Sequence, residues 1–96
     1  MDREEIIKEV VSIIRRYLPR HEFKIVLFGS WARGEAQETS DIDIGLLGPD
    51  PIDDMRLLRI AGDIGNIPTL RRIDVVDLNK TDEGFRREVL SYAQTL

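Results

Sequence analysis

Apolar side chains recur at helical spacing over residues 2–18, at Ile6, Ile7, Val10, Val11, Ile13, Ile14, Tyr17 and Leu18. That pattern predicts an amphipathic helix with a broad buried stripe. Asp2, Glu4 and Glu5 suit the positive end of its dipole, and Pro19 stops it. The next run, Phe23 to Phe28, is almost continuously apolar. It predicts a short strand buried on both faces and broken by Gly29-Ser30. Trp31 to Glu35 leaves room for a turn or two of helix, with Gly34 ending it in a left-handed conformation.

Polar and apolar positions then alternate through Ser-Asp-Ile-Asp-Ile, which predicts a second strand ended by the Gly-Pro-Asp-Pro at 48–51. Residues 53–65 predict a second long helix, with Met55, Leu58, Ile60, Ala61 and Ile64 turned inward and Gly62 and Gly65 weakening its end. Residues 72–77 predict a third strand. Thr81 to Leu96 predicts a last helix, capped by Thr81, with Phe85, Val89, Tyr92, Ala93 and Leu96 on its core side. The order αβαβαβα is that of an α/β fold, a small sheet with helices packed against it. With 96 residues, a single domain over 1–96 is the expectation.

Composition narrows the function. The net charge is −4, and the basic residues are scattered pairs such as Arg71-Arg72 and Arg86-Arg87. These pairs read as solvated surface, so direct nucleic-acid binding is not expected. There is no cysteine and no long apolar run. Thiolate metal sites and membrane spans are therefore not expected, and a cytoplasmic location fits best. His21 reads as a loop residue. Tyr17 and Tyr92 read as packing residues at helical core spacing, and Trp31 as partly buried or at an interface.

The candidate chemistry lies in Phe28–Leu47. Asp41 and Asp43 stand at i and i+2 of a strand, so they share a face, roughly 6.6 Å apart along the backbone. Two carboxylates so placed suit a hard cation such as Mg²⁺. Asp74, between Ile73 and Val75, is the natural third carboxylate if its strand adjoins the second. Asp77 has the opposite parity and reads as a surface or turn residue. Gly29 lets a ligand approach the main chain, and Ser30 offers a hydroxyl that suits a helix cap or a phosphate. Arg33 is placed either to reach a phosphate or to pair with Glu35 or Asp41.

These residues carry a resemblance. Gly29-Ser30, Ala32-Arg33-Gly34, Ser40-Asp41-Ile42-Asp43 and a downstream Asp74 in an apolar strand resemble the signature of the polymerase-β-type nucleotidyltransferases. The short length resembles the minimal nucleotidyltransferases, or MNT proteins. The resemblance implies the polymerase-β-like core, with a small mixed sheet. It implies Gly29 and Ser30 holding a triphosphate, Asp41, Asp43 and Asp74 binding Mg²⁺, and Asp74 acting as base. It implies AMP transfer from ATP to a hydroxyl of a partner protein, as the antitoxin of a HEPN/MNT toxin–antitoxin pair with a HEPN-domain partner. An antitoxin that neutralises by docking alone, and a transferase acting on a small molecule such as an antibiotic, are the alternatives. A homo-oligomer remains compatible with the sequence.

Overall fold

The computed structural model describes residues 1–36 and 40–96. Helix α1 spans Arg3–Tyr17. Asp2 caps it by accepting from the Glu5 N–H at 2.9 Å, and Arg15 and Arg16 fill its last turn. Arg15 also donates to the Phe23 carbonyl at 2.7 Å, which ties the helix end to the chain entering strand β1, Lys24–Phe28. A short helix α2, Gly29–Arg33, leads to strand β2, Ile42–Leu47. Helix α3 is Asp54–Gly65 and strand β3 is Ile73–Asp77. A 3₁₀ turn, Leu78–Lys80, precedes helix α4, Glu83–Tyr92, and a two-residue strand β4, Gln94–Thr95.

The four strands form one mixed sheet in the order β3-β2-β1-β4. β1 is antiparallel to both β2 and β4, whereas β2 and β3 are parallel and joined through α3. Alternation along the strands serves two apolar layers. Ile25, Leu27, Ile42, Ile44 and Leu46 pack with α1 and α3 through Ile6, Val10, Ile14, Ile60 and Ile64. On the other face Val26 and Phe28 pack with Leu78 and Val89. β1 is therefore buried on both faces, as its apolar run predicts. Among the described residues no helix is long and apolar enough to cross a membrane.

Several expectations change. In α3 the inward stripe is Ile60 and Ile64 with Leu57 beside them, while Met55 is 59% and Leu58 68% exposed and Ala61 is exposed. At about 100° per residue, positions 57, 60 and 64 share a face, positions 55 and 58 point away from it, and position 61 falls at its edge. One helix cannot turn both stripes to the same sheet. The cap of α4 is Asp82, accepting from the Phe85 N–H at 2.9 Å. Thr81 instead donates its hydroxyl to the Leu78 carbonyl at 2.7 Å, closing the 3₁₀ turn. α4 stops at Tyr92, because the chain turns extended at Ala93 to pair β4 with β1 and to bond the Leu96 N–H to the Ile25 carbonyl. Val89 is the buried residue of this helix, and Phe85 stays 40% exposed. Tyr17 does more than pack, since its hydroxyl donates to Asp63 and joins α1 to α3.

Asp77 departs from expectation too: it is buried, at 4% exposure. Its carboxylate accepts from the Ile52 N–H at 2.7 Å and from the Asn79 N–H at 3.0 Å. Asn79 in turn donates to the Gly48 carbonyl at 2.7 Å. A strand of regular parity carries Asp77 inward, and these donors make that burial tolerable. The pair fastens the connection after β2 to the end of β3. Asp77→Ala leaves the Ile52 N–H without its acceptor and should cost about 2–3 kcal/mol of unfolding free energy. Denaturant unfolding reads this, and a loss below about 0.5 kcal/mol, the scale of an ordinary surface change, would contradict the clamp.

Candidate active site

The acidic centre is set by strand register. Asp43 and Asp74 are direct partners in the parallel β2–β3 pairing, and Phe28, the last residue of β1, is the partner of Asp43. Ile42 and Ile44 are fully buried on the opposite face, which turns Asp43 toward the face that also carries Phe28. Asp41 lies one residue before β2 and is exposed. Asp43 and Asp74 are half-buried.

The three carboxylates act on one another. The Asp43 carboxyl is raised above its ordinary value, first by burial and then by repulsion from Asp74 and Asp41, against the opposing pull of Arg72. Arg72 donates through Nε to Asp74 at 3.1 Å. Among the described residues no three acidic, histidine or cysteine side chains gather around one point as a closed metal cage. The cluster is coupled in charge but open. Its donors are all hard carboxylate oxygens, the set that suits Mg²⁺ or a similar cation.

Gly29 abuts this cluster. Its φ is +73°, and a Cβ there would stand 2.1 Å from Asp43 Oδ2. Both facts require glycine at this position. Ser30 follows in the first turn of α2, but the capping position is Phe28 and no side chain makes a cap bond. Gly34 ends α2 with φ +74°, as its position after Arg33 predicts.

Arg33 pairs with neither Glu35 nor Asp41. Its guanidinium lies 3.0 Å from Glu88 and stacks over the Tyr92 ring at 4.3 Å from the centroid. Tyr92 also goes beyond packing: its hydroxyl accepts from the Gly29 N–H at 3.0 Å. Helix spacing hides this, because the contact joins residues distant in sequence. Trp31 is partly buried, as expected, and donates from Nε1 to the Ser40 carbonyl at 3.1 Å. Arg3 and Arg71 lie over its ring at 4.8 and 5.3 Å. Arg71 is thus a packed residue where the sequence suggests a solvated charge, while Arg72 is solvated as read and pairs with Asp74 from the surface. His21 is an exposed loop residue as read. Gln37, Glu38 and Thr39, inside the motif run, lie outside the described residues.

A cavity of about 330 Å³ opens beside Asp74, lined also by Thr69, Arg71 and Val75. A wider one of about 620 Å³ lies at the other end of the sheet, between Arg15, Phe23, Lys24, Leu47 and Leu96, and is not lined by Asp41, Asp43 or Asp74. Asp43 and Asp74 pair at the first end.

Residues 5–96 match the family described as polymerase beta, nucleotidyltransferase. The chain belongs to this nucleotidyltransferase family. A Methanocaldococcus jannaschii relative assigned as a protein adenylyltransferase is 43% identical over 53 residues, 55% of this chain and 53% of its own length. The protein adenylyltransferase MntA of Shewanella oneidensis is 26% identical over 88 residues, 92% of this chain. The chain thus spans about half the length of the first of these relatives and 62% of the second. A solved toxin–antitoxin structure with AMP-PNP superposes with a TM-score of 0.73 at 25% identity, over 92% of this chain and 69% of that one. The mixed sheet is the nucleotidyltransferase core, and the motif turn and the Asp-x-Asp strand adjoin within it.

The raised Asp43 carboxyl has a consequence for stability. The folded state holds this proton to higher pH than the unfolded chain does. Stability therefore falls as pH rises from the ordinary carboxylate range, about 3.9, through the raised folded value, and the penalty persists above it. Asp43→Asn should melt at a higher temperature than the parent protein at pH 7. That advantage should shrink as pH drops below the carboxylate range. Melting curves across pH read this, and a variant less stable than the parent at pH 7 would contradict it.

Proposed function

We propose that residues 1–96 work as one minimal nucleotidyltransferase unit. It moves AMP from ATP to a hydroxyl of a partner protein, as the antitoxin of a HEPN/MNT pair in the cytoplasm. The observation that carries this reading is the in-register pair Asp43 and Asp74 beside the Gly29-Ser30 turn, on a chain of the nucleotidyltransferase family. The kinship with protein adenylyltransferases supports a protein acceptor, and the likeness to a toxin–antitoxin structure with an ATP analogue supports both donor and setting.

In this reading Gly29 and Ser30 hold the triphosphate, and Arg33 leaves Glu88 to meet it. Asp41, Asp43 and Asp74 hold Mg²⁺. When bound, Mg²⁺ neutralises charge on the carboxylates and phosphates. The acceptor hydroxyl attacks the α-phosphorus, its oxygen forms the new P–O bond, and the bond to the bridging oxygen of the β-phosphate breaks. Pyrophosphate leaves with that electron pair. Asp74 takes the hydroxyl proton, which requires it to turn from Arg72. Most of the acceleration comes from positioning and from matching charge as it develops.

A docking-only antitoxin is the second reading, favoured by the open carboxylate cluster and the Arg72–Asp74 pair. One experiment separates the two. The protein is incubated with labelled ATP, Mg²⁺ and the folded HEPN partner, alongside the double variant Asp41→Ala/Asp43→Ala. Transfer of label should fall by more than about a thousandfold in the variant, and toxin neutralisation should fall with it. No label on the partner, with the double variant neutralising as well as the parent, would overturn the enzymatic reading in favour of docking.

A further inference from the structure

Tyr92 stands at the far end of α4 from the helix cap, yet it touches the motif turn twice. Its hydroxyl takes the Gly29 N–H at 3.0 Å. Its ring carries the Arg33 guanidinium at 4.3 Å, and Glu88, one helical turn earlier, holds the same guanidinium at 3.0 Å. Gly29 is the residue whose left-handed φ presses the turn against Asp43. Hydroxyl and ring therefore hold, from one side chain, the backbone of the turn and the guanidinium of Arg33.

We propose that Tyr92 is a positioning residue for the triphosphate. It acts through Gly29, by fixing where the turn's main chain lies, and through Arg33, by parking the guanidinium beside the turn. This deepens the nucleotidyltransferase reading and rests on it. α4 is thus more than a cover for the second apolar layer. Its first turn meets Phe28 through Phe85, whose rings meet edge to face at 6.2 Å. Its last turn meets Gly29. The helix brackets the two consecutive residues that lead from β1 into the motif.

The hydroxyl and the ring separate by substitution. Tyr92→Phe keeps the ring under Arg33 and the packing beside Val89, and removes only the acceptor of the Gly29 N–H. Its melting temperature should stay within a few degrees of the parent protein. Its affinity for ATP with Mg²⁺ should fall about fivefold, the scale of one neutral hydrogen bond. Exchange of the Gly29 amide proton with solvent, followed by NMR without nucleotide, should quicken in the same variant. A purely structural role for Tyr92 moves the melting temperature and leaves ATP affinity in the folded protein unchanged.

Titration of the parent protein with ATP and Mg²⁺ comes first. Absence of binding there overturns the nucleotidyltransferase reading and this inference with it. Binding by the parent that is matched in strength by Tyr92→Phe overturns the inference alone. Weaker binding by Tyr92→Phe at an unchanged melting temperature, with faster Gly29 exchange, supports it. Weaker binding with Gly29 exchange unchanged overturns the route through Gly29.

Discussion

The structure depends on a conflict held in place by strand register. Asp43 and Asp74 are paired across adjacent parallel strands, where backbones lie about 4.8 Å apart. Like charges so close repel, and the Asp43 carboxyl is raised first by its burial and then by this repulsion. The strands cannot slip to relieve it. A shift of one residue would turn Ile42, Ile44 and Leu46, all fully buried, off the main core and put carboxylates in their place. Apolar burial on one face thus enforces an electrostatic cost on the other. Arg72 offsets part of that cost at Asp74.

The rest of the second face is arranged around this edge. α1 and α3 cover the opposite face. On the acidic face α4 and the 3₁₀ turn cover only the part nearer Val26, Phe28 and Leu78. The buried Asp77, two residues past Val75, clamps the connection after β2 and keeps the strand pair from fraying at its far end. At the near end Gly29 closes on Asp43 so tightly that no side chain fits between them. Strand register and the close approach of Gly29 thus hold the acidic pair from both sides. That is the kind of preorganised setting in which phosphate chemistry gains most from charge.

The sequence made the first three strands, the motif and the shared face of Asp43 and Asp74 legible, because strand parity and the Gly-Ser break are local signals. Asp74 was legible through Ile73 and Val75 on either side of it, and its pairing with Asp43 needed only that the strands be neighbours. Local signals failed where the outcome rested on long-range contact. α3 carries two opposed apolar stripes, and only packing against the sheet selects Ile60 and Ile64 over Met55 and Leu58. Asp77 looked like a turn residue because its donors, Ile52 and Asn79, come from other elements or from the turn itself. The strand Gln94–Thr95 has no pattern of its own and exists because β1 offers an edge. Tyr92 reads as a packing residue, and its contact with Gly29, like that of Glu88 with Arg33, spans more than half the chain.

If the conflict between Asp43 and Asp74 is the seat of function, a cation and a triphosphate should resolve it. The most direct measurement is a crystal structure of the protein grown with Mg²⁺ and a non-hydrolysable ATP analogue. The account predicts metal density touching Asp43 and Asp74, Arg72 turned away from Asp74, and phosphates over Gly29 and Ser30. A nucleotide bound in the cavity between Arg15, Lys24 and Leu96, with the aspartates still facing only Arg72 and water, would contradict it.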